Sequence, residues 1–229
     1  MPSLPCVRPA VRTIAISCFA LLTGCTAAPD SNALPSCTTP LNARVENSCV
    51  VTPQALWRGA KPDDVAAATL VEMGAKTVVN LELLHDDRQS FDGAKVSVSA
   101  RREVQYFRVA DWEPLVAFAP QKVDDHVAHF IAITRTRPKP VFVHCRSGRN
   151  RTGIMVAAYR LFNGMSNEDA IAEMKRYGGE WFKYDADYIR SLTPQRREEL
   201  ERRIEEWIPK LRPDAQIVCM DGSCKAVSN

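Results

Sequence analysis

The stretch Pro140-Val-Phe-Val-His-Cys145-Arg-Ser-Gly-Arg-Asn-Arg-Thr-Gly-Ile154 decides the fold. Pro140 to His144 reads as a short buried strand. The chain beyond Thr152, Ile154-Met-Val-Ala-Ala-Tyr-Arg-Leu-Phe, is apolar nearly all round and reads as a central buried helix. A tight glycine-containing loop between a strand and a helix N-terminus binds anions by construction, because its N–H groups converge and the helix dipole adds positive potential. Here the loop opens on Cys145 and reaches Arg151 six positions later. That spacing lets the guanidinium fork hold two phosphoryl oxygens with the cysteine beneath the phosphorus. The same field favours a thiolate, the attacking form of cysteine. Thr152 is expected to hydrogen-bond the sulfur and help it leave. His144 is expected to orient the loop rather than to move protons.

Strands and helices alternate on both sides of this loop. Asp63 to Met73 has helical spacing, with Val65, Thr69, Leu70 and Met73 on one face and Gly74 as the stop. Lys76-Thr-Val-Val-Asn-Leu is an inner strand, and Glu82 to Arg102 is a long polar loop with Asp92-Gly93 as a turn. Val104 to Val109 is the next strand, and Ala110 to Ala119 leaves it as a loop. Pro120 opens a helix that points Val123, Val127, Phe130 and Ile131 one way. Ser166-Asn-Glu-Asp is a capping box for a helix ending at Gly178. The last helix has Thr193 as cap, Pro194 at its first position, and an apolar seam of Leu200, Ile204 and Trp207. Its Arg/Glu run pairs at i,i+4 and reads as a solvated face. The expected class is α/β, with a mainly parallel central sheet flanked by helices.

The loop resembles the signature of the cysteine-dependent protein-tyrosine and dual-specificity phosphatases, HC-x-x-G-x-x-R-[ST]. His144, Cys145, Gly148, Arg151 and Thr152 fill its fixed positions. A looser likeness runs from about Trp57 to Gly178, through Arg58-Gly-Ala-Lys-Pro and Asn167-Glu-Asp-Ala-Ile, and looks like the compact bacterial dual-specificity type. The resemblance implies a dual-specificity-phosphatase-like fold and hydrolysis of phosphomonoesters through a cysteinyl-phosphate, with no metal or cofactor. It also implies an aspartate acid some residues before the cysteine. Asp111 in Ala110-Asp-Trp-Glu-Pro114 is the first candidate, with Trp112 expected to shield it, since desolvation keeps a carboxyl protonated. Glu113 is its rival. Asp124 and Asp125 are explained by the helix dipole alone.

Arg146, Ser147, Gly148, Arg149 and Asn150 are the expected substrate-binding positions. Arg146 and Arg149 bring more positive charge than one phosphate needs, a doubling similar to that of phosphatases acting on inositol phosphates and phosphoinositides. A phosphorylated protein and a phosphorylated lipid or inositol are both open as substrates. An anion-binding pseudophosphatase is a further alternative. A sulfur-transfer or arsenate-reducing enzyme is a weaker one, because those loops typically lack the His-Cys context and the Arg-Thr-Gly that follows.

The chain has 229 residues, enough for one domain with a full core, and its formal charge of +3 is too small to argue for nucleic acid. Residues 1–24 read as a signal peptide: Arg8 and Arg12 precede a short apolar run that ends in Leu22-Thr-Gly-Cys25, similar to a bacterial lipobox. Cys25 would then carry lipid and anchor an exported protein to the cell envelope. Thr26 after it favours the periplasmic side of the outer membrane. Residues 25–50 read as a tether, 51–212 as the phosphatase domain and 213–229 as a C-terminal tail. Cys37, Cys49, Cys219 and Cys224 allow three pairings in an oxidising compartment, of which Cys37–Cys49 with Cys219–Cys224 is preferred. In every pairing of those four, Cys145 is left over.

Overall fold

The computed structural model describes residues 37, 40–97, 100–179 and 181–227. Cys25, the signal peptide and the first part of the tether lie outside them. Seven strands form one sheet: β1 (Cys49–Thr52), β2 (Leu56–Ala60), β3 (Thr77–Glu82), β4 (Arg102–Asp111), β5 (Val141–Cys145), β6 (Ala215–Met220) and β7 (Ser223–Val227). Their order is β1-β2-β5-β3-β4-β6-β7. The inner four, β2, β5, β3 and β4, run parallel, whereas β1, β6 and β7 pair antiparallel at the two edges. The sheet is therefore mixed, and the expected parallel character belongs to its centre.

Alternation along the inner strands builds two cores. Val79, Leu81, Phe107, Val109, Val141 and Val143 face one side. There they meet α4 (Pro120–Thr136), α5 (Asn150–Phe162), α6 (Asn167–Lys175), α7 (Phe182–Ser191) and α8 (Pro194–Trp207). Val78, Val104, Tyr106 and Phe142 face the other side, against α1 (Asp64–Met73), with Ala215 and Ile217 of β6 in the same core. Successive residues of a strand point to opposite faces, so strands covered on both sides are apolar throughout. The expected helix caps form, with Ser166 accepting from Asp169 N and Thr193 from Arg196 N.

Several sequence expectations change. In α1 the buried face is Ala66, Ala67, Leu70 and Val71, while Val65 and Met73 are exposed; small alanines let this helix lie close to the sheet. The expected C-terminal tail is instead the β6–β7 hairpin. Its alternating Ala215, Ile217 and Cys219 are buried, and it pairs with the otherwise open edge of β4. Order also begins before residue 51, since Leu41, Val45 and Cys49 are buried. The Glu82–Arg102 loop contains one helical turn, α2 (Arg88–Phe91), that buries Phe91. Likewise the loop after β4 holds the short α3 (Leu115–Phe118). The helix α7 was not legible in the sequence. Cysteines pair locally, Cys37 with Cys49 and Cys219 with Cys224, and Cys145 is free and buried. No helix among the described residues is long and apolar enough to cross a membrane.

Candidate active site

Cys145 ends β5 at the carboxyl edge of the sheet, and α5 starts at Asn150. Between them the loop folds onto β2, which runs beside β5 with Gly59 opposite His144 and Ala60 opposite Cys145. Gly148 takes a left-handed φ of +67°, and a Cβ there would stand 2.6 Å from Ala60 N. Both conditions require glycine.

Three consecutive loop carbonyls are engaged by the surrounding scaffold. Lys61 N donates to Arg146 O at 3.4 Å, Asn47 Nδ2 to Ser147 O at 2.7 Å, and Arg58 Nη2 to Gly148 O. In a trans peptide the N–H points opposite to its carbonyl. Turning these carbonyls toward the scaffold therefore turns the N–H groups of Ser147, Gly148 and Arg149 away from it, which is the arrangement of an anion nest. Arg58 is fully buried beneath this loop and lies over the Tyr177 ring at 3.7 Å. Burial pulls its basicity down to about 10, opposed by neighbouring charges, so it stays a cation at neutral pH.

Arg151 is braced by the ends of two strands. Its Nη1 lies 3.3 Å from both Leu81 O and Asp111 O, and its Nε is 3.6 Å from Glu113 Oε2. Asp111 itself is buried with its Oδ1 3.0 Å from Nδ1 of His126 on α4, a partner that nothing in the sequence announced. Trp112 is 51% exposed and does not provide the expected shield; packing of β4 against α4 buries Asp111 instead. Asp124 accepts from Tyr188 and Arg196, and Asp125 accepts from Trp207 Nε1. Both acids hold helices together.

His144 is wholly buried, stacks on Phe142, and places Nε2 3.3 Å from Asp87 Oδ2. Burial, partly offset by Asp87, lowers its basicity, which favours the neutral ring and fits an orienting group. Asp87 in turn accepts from Tyr106 and Asn80, so a closed polar cluster anchors the strand end below the loop. Thr152 Oγ1 is buried and makes no hydrogen bond among the described residues, so the expected contact with the sulfur is not formed in this arrangement. Arg146 and Arg149 are exposed, Ser147 is half-buried and Gly148 is buried. Asn150, expected to bind substrate, instead turns its side chain inward and donates to Asp185 Oδ2 at 2.7 Å.

Asp185, on the unforeseen α7, is a further group of this site. Burial pushes its carboxyl up to about 7, opposed by the Asn150 hydrogen bond and reinforced by Glu113 and Asp111. A carboxyl whose folded value is raised keeps its stabilising contribution below its unfolded value near 4. That contribution is lost as pH rises to about 7. The thermal midpoint should fall across that interval, and Asp185→Asn should flatten the fall. A midpoint curve unchanged by Asp185→Asn between pH 4 and 8 would refute this assignment.

A cysteine at the carboxyl end of a central parallel strand, a nest of N–H groups and an arginine at the start of the next helix are the layout of the dual-specificity phosphatase class. The family model described as "DSP-PTPase phosphatase fused to NAD+ Kinase" matches residues 38–189, and the chain belongs to that family. Dual specificity protein phosphatase TpbA of Pseudomonas aeruginosa (strain UCBPP-PA14) is 32% identical over 124 residues, covering 54% of this chain and 51% of TpbA. The chain thus spans about half the length of the curated relatives it matches. The crystal structure of P. aeruginosa TpbA superposes with a TM-score of 0.54 at 22% identity, covering 76% of this chain and 97% of that one. A cysteine-to-serine form of TpbA in complex with pTyr aligns equally well, with a TM-score of 0.54. The catalytic core of the S. cerevisiae PP-IP phosphatase SIW14 gives a TM-score of 0.50 at 14% identity, covering 76% of this chain and 98% of that core. These structural likenesses carry the fold.

Proposed function

We propose that the protein hydrolyses phosphomonoesters at Cys145, and the observation that carries this is the set of scaffold-held carbonyls that turns the loop N–H groups away from the scaffold. The Cys145 thiolate attacks phosphorus in line. The P–O bond to the leaving group breaks, and Asp111 gives that oxygen its proton. Water then attacks the cysteinyl-phosphate, its proton passes to the Asp111 carboxylate, and inorganic phosphate leaves with the thiolate restored. Arg151 spans two phosphoryl oxygens in both steps.

Asp111 is the acid in this scheme because its residue type matches the family's acid and it ends β4 beside the strand end that braces Arg151, whereas Glu113 faces Arg151 Nε at 3.6 Å. Asp111→Asn should lower kcat about 10²-fold on a phenyl phosphate with a poor leaving group, and far less on p-nitrophenyl phosphate. Glu113→Gln should leave that leaving-group dependence intact. The reverse pattern would move the role to Glu113.

For the substrate, a phosphorylated protein is the first reading, supported by the likeness to TpbA and its pTyr complex. A phosphorylated lipid or inositol is the second, supported by the exposed Arg146 and Arg149 and by Leu84 and Phe118, which are 83% and 75% exposed on the segments following β3 and β4. Phosphotyrosyl peptides, inositol phosphates and phospholipid vesicles offered in parallel, with Cys145→Ser as control, decide between them; turnover of none of these would leave the pseudophosphatase. We also infer that Cys25 anchors the exported chain to the envelope, periplasmic side, on the strength of Leu22-Thr-Gly-Cys25. Incorporation of labelled palmitate that survives Cys25→Ala would overturn that reading.

A further inference from the structure

The segment from Cys37 to Cys49 lies about a hundred positions before the anion loop, yet it touches that loop's support at several points. Asn47 Nδ2 holds Ser147 O at 2.7 Å. Glu46 O accepts from Ala60 N at 2.8 Å, beside the strand residue paired with Cys145. Gly59 leaves room for Val45, since a Cβ at Gly59 would meet Val45 Cγ1 at 2.5 Å. The disulfide closes the segment with its Cα atoms 5.8 Å apart. Tyr177 binds to that closure, its hydroxyl donating to Cys37 O at 3.0 Å and lying 3.2 Å from Cys49 Sγ. The face of the same Tyr177 ring supports Arg58, which holds Gly148 O.

Two of the three donors that orient the loop thus depend on this segment, one directly and one through Tyr177. A donor for Ser147 O supplied by the main loop fold would make the segment dispensable, but the side chain that reaches this carbonyl is Asn47. Asn47 also sits at a φ of +50°, a left-handed conformation that asparagine tolerates better than most residues. Its placement is set by the turn leading into β1.

We propose that segment 40–49, tied back by the Cys37–Cys49 disulfide, buttresses the anion loop from behind, with Asn47 and Tyr177 as positioning residues for the peptides of Ser147 and Gly148. This rests on reading the Cys145 loop as a phosphate site. Turnover then requires Cys145 as a free thiol, while the shape of the anion loop requires Cys37 and Cys49 joined. Phosphate affinity becomes a property of the N-terminal segment as well as of the signature loop.

The test is titration of the full chain with inorganic phosphate, followed by NMR, alongside the thermal midpoint of each variant. Asn47→Gly removes the donor while glycine keeps the positive φ without strain. It should weaken phosphate binding about tenfold, the scale of one lost hydrogen bond to an anion-binding group. Asn47→Asp, which keeps the shape but cannot donate, should weaken it at least as much. The double variant Cys37→Ser with Cys49→Ser should also weaken it, whereas Cys219→Ser with Cys224→Ser, which opens the distant β6–β7 hairpin, should not. Should the first double variant fail to fold, the two Asn47 variants carry the result. Unchanged phosphate affinity in Asn47→Gly and Asn47→Asp overturns the proposal while leaving the phosphate site standing. A wild-type chain that binds no phosphate overturns both readings together.

Discussion

Cys145→Ser should abolish turnover of p-nitrophenyl phosphate, by roughly 10⁴-fold or more, while leaving inorganic phosphate bound with near wild-type affinity. The expectation follows from the division of labour in the loop. Binding comes from backbone N–H groups whose carbonyls are held by Lys61, Asn47 and Arg58, and from the Arg151 guanidinium. None of these changes when sulfur becomes oxygen. Attack on phosphorus does change, because a serine hydroxyl with no adjacent base stays protonated and is a weak nucleophile. Losing a nucleophile typically removes most of the rate enhancement and leaves only what binding and charge stabilisation supply. Cys145 is 1% exposed and the substitution is nearly isosteric, so the thermal midpoint should move little. The decisive measurement pairs single-turnover kinetics with a phosphate titration. Retained turnover in Cys145→Ser would sink the covalent mechanism. Lost binding would instead mean that the sulfur itself shapes the cradle.

Arg151→Ala should cost about 10³-fold in kcat/KM, and Arg151→Lys should recover no more than about tenfold of it. Each preorganised donor at a developing charge contributes about 10²–10³ in rate, and the guanidinium offers two in fixed geometry. Lysine restores the charge but not the fork. The setting strengthens the expectation, because Arg151 is aligned by Leu81 O and Asp111 O at 3.3 Å each, so its orientation is set before substrate arrives. Removing it also takes away the guanidinium that faces Glu113 Oε2 at 3.6 Å. Phosphate affinity should fall together with kcat in the alanine variant, and a rise in KM alone would show that Arg151 binds without assisting the chemical step.

How much of this was legible in the sequence differs from element to element. The strand, loop and helix around Cys145 were readable because their pattern is local: an apolar run, a glycine and an all-round apolar helix occupy adjacent residues. The α4 face, the caps at Ser166 and Thr193 and the local cysteine pairing were readable for the same reason. The face of α1 is poorly legible because four of its buried or half-buried positions are alanine or threonine, whose weak apolar signal is outweighed by Val65 and Met73 at the surface. The β6–β7 hairpin reads as a tail because its partner, β4, lies more than a hundred residues earlier and no local signal announces that edge. Helix α7, and with it Asp185, is not legible in the sequence because half of its residues are Asp, Lys or Tyr and its burial depends on what packs over it.

The sequence by itself determined the local frame: Cys145, Gly148, Arg151 and Thr152 on one strand–loop–helix turn, within an α/β chain of this family. Tertiary structure alone decided what surrounds that frame. It turned Asn150 inward to Asp185, set His126 beside Asp111, placed Arg58 on Tyr177 beneath the loop and brought Asn47 to Ser147 across a hundred residues. The reason is physical. An anion loop's own geometry is encoded over ten adjacent residues, whereas the donors that orient its peptides and the carboxyls that tune it arrive from distant segments. Their meeting is settled only when the sheet order and the helix packing are complete.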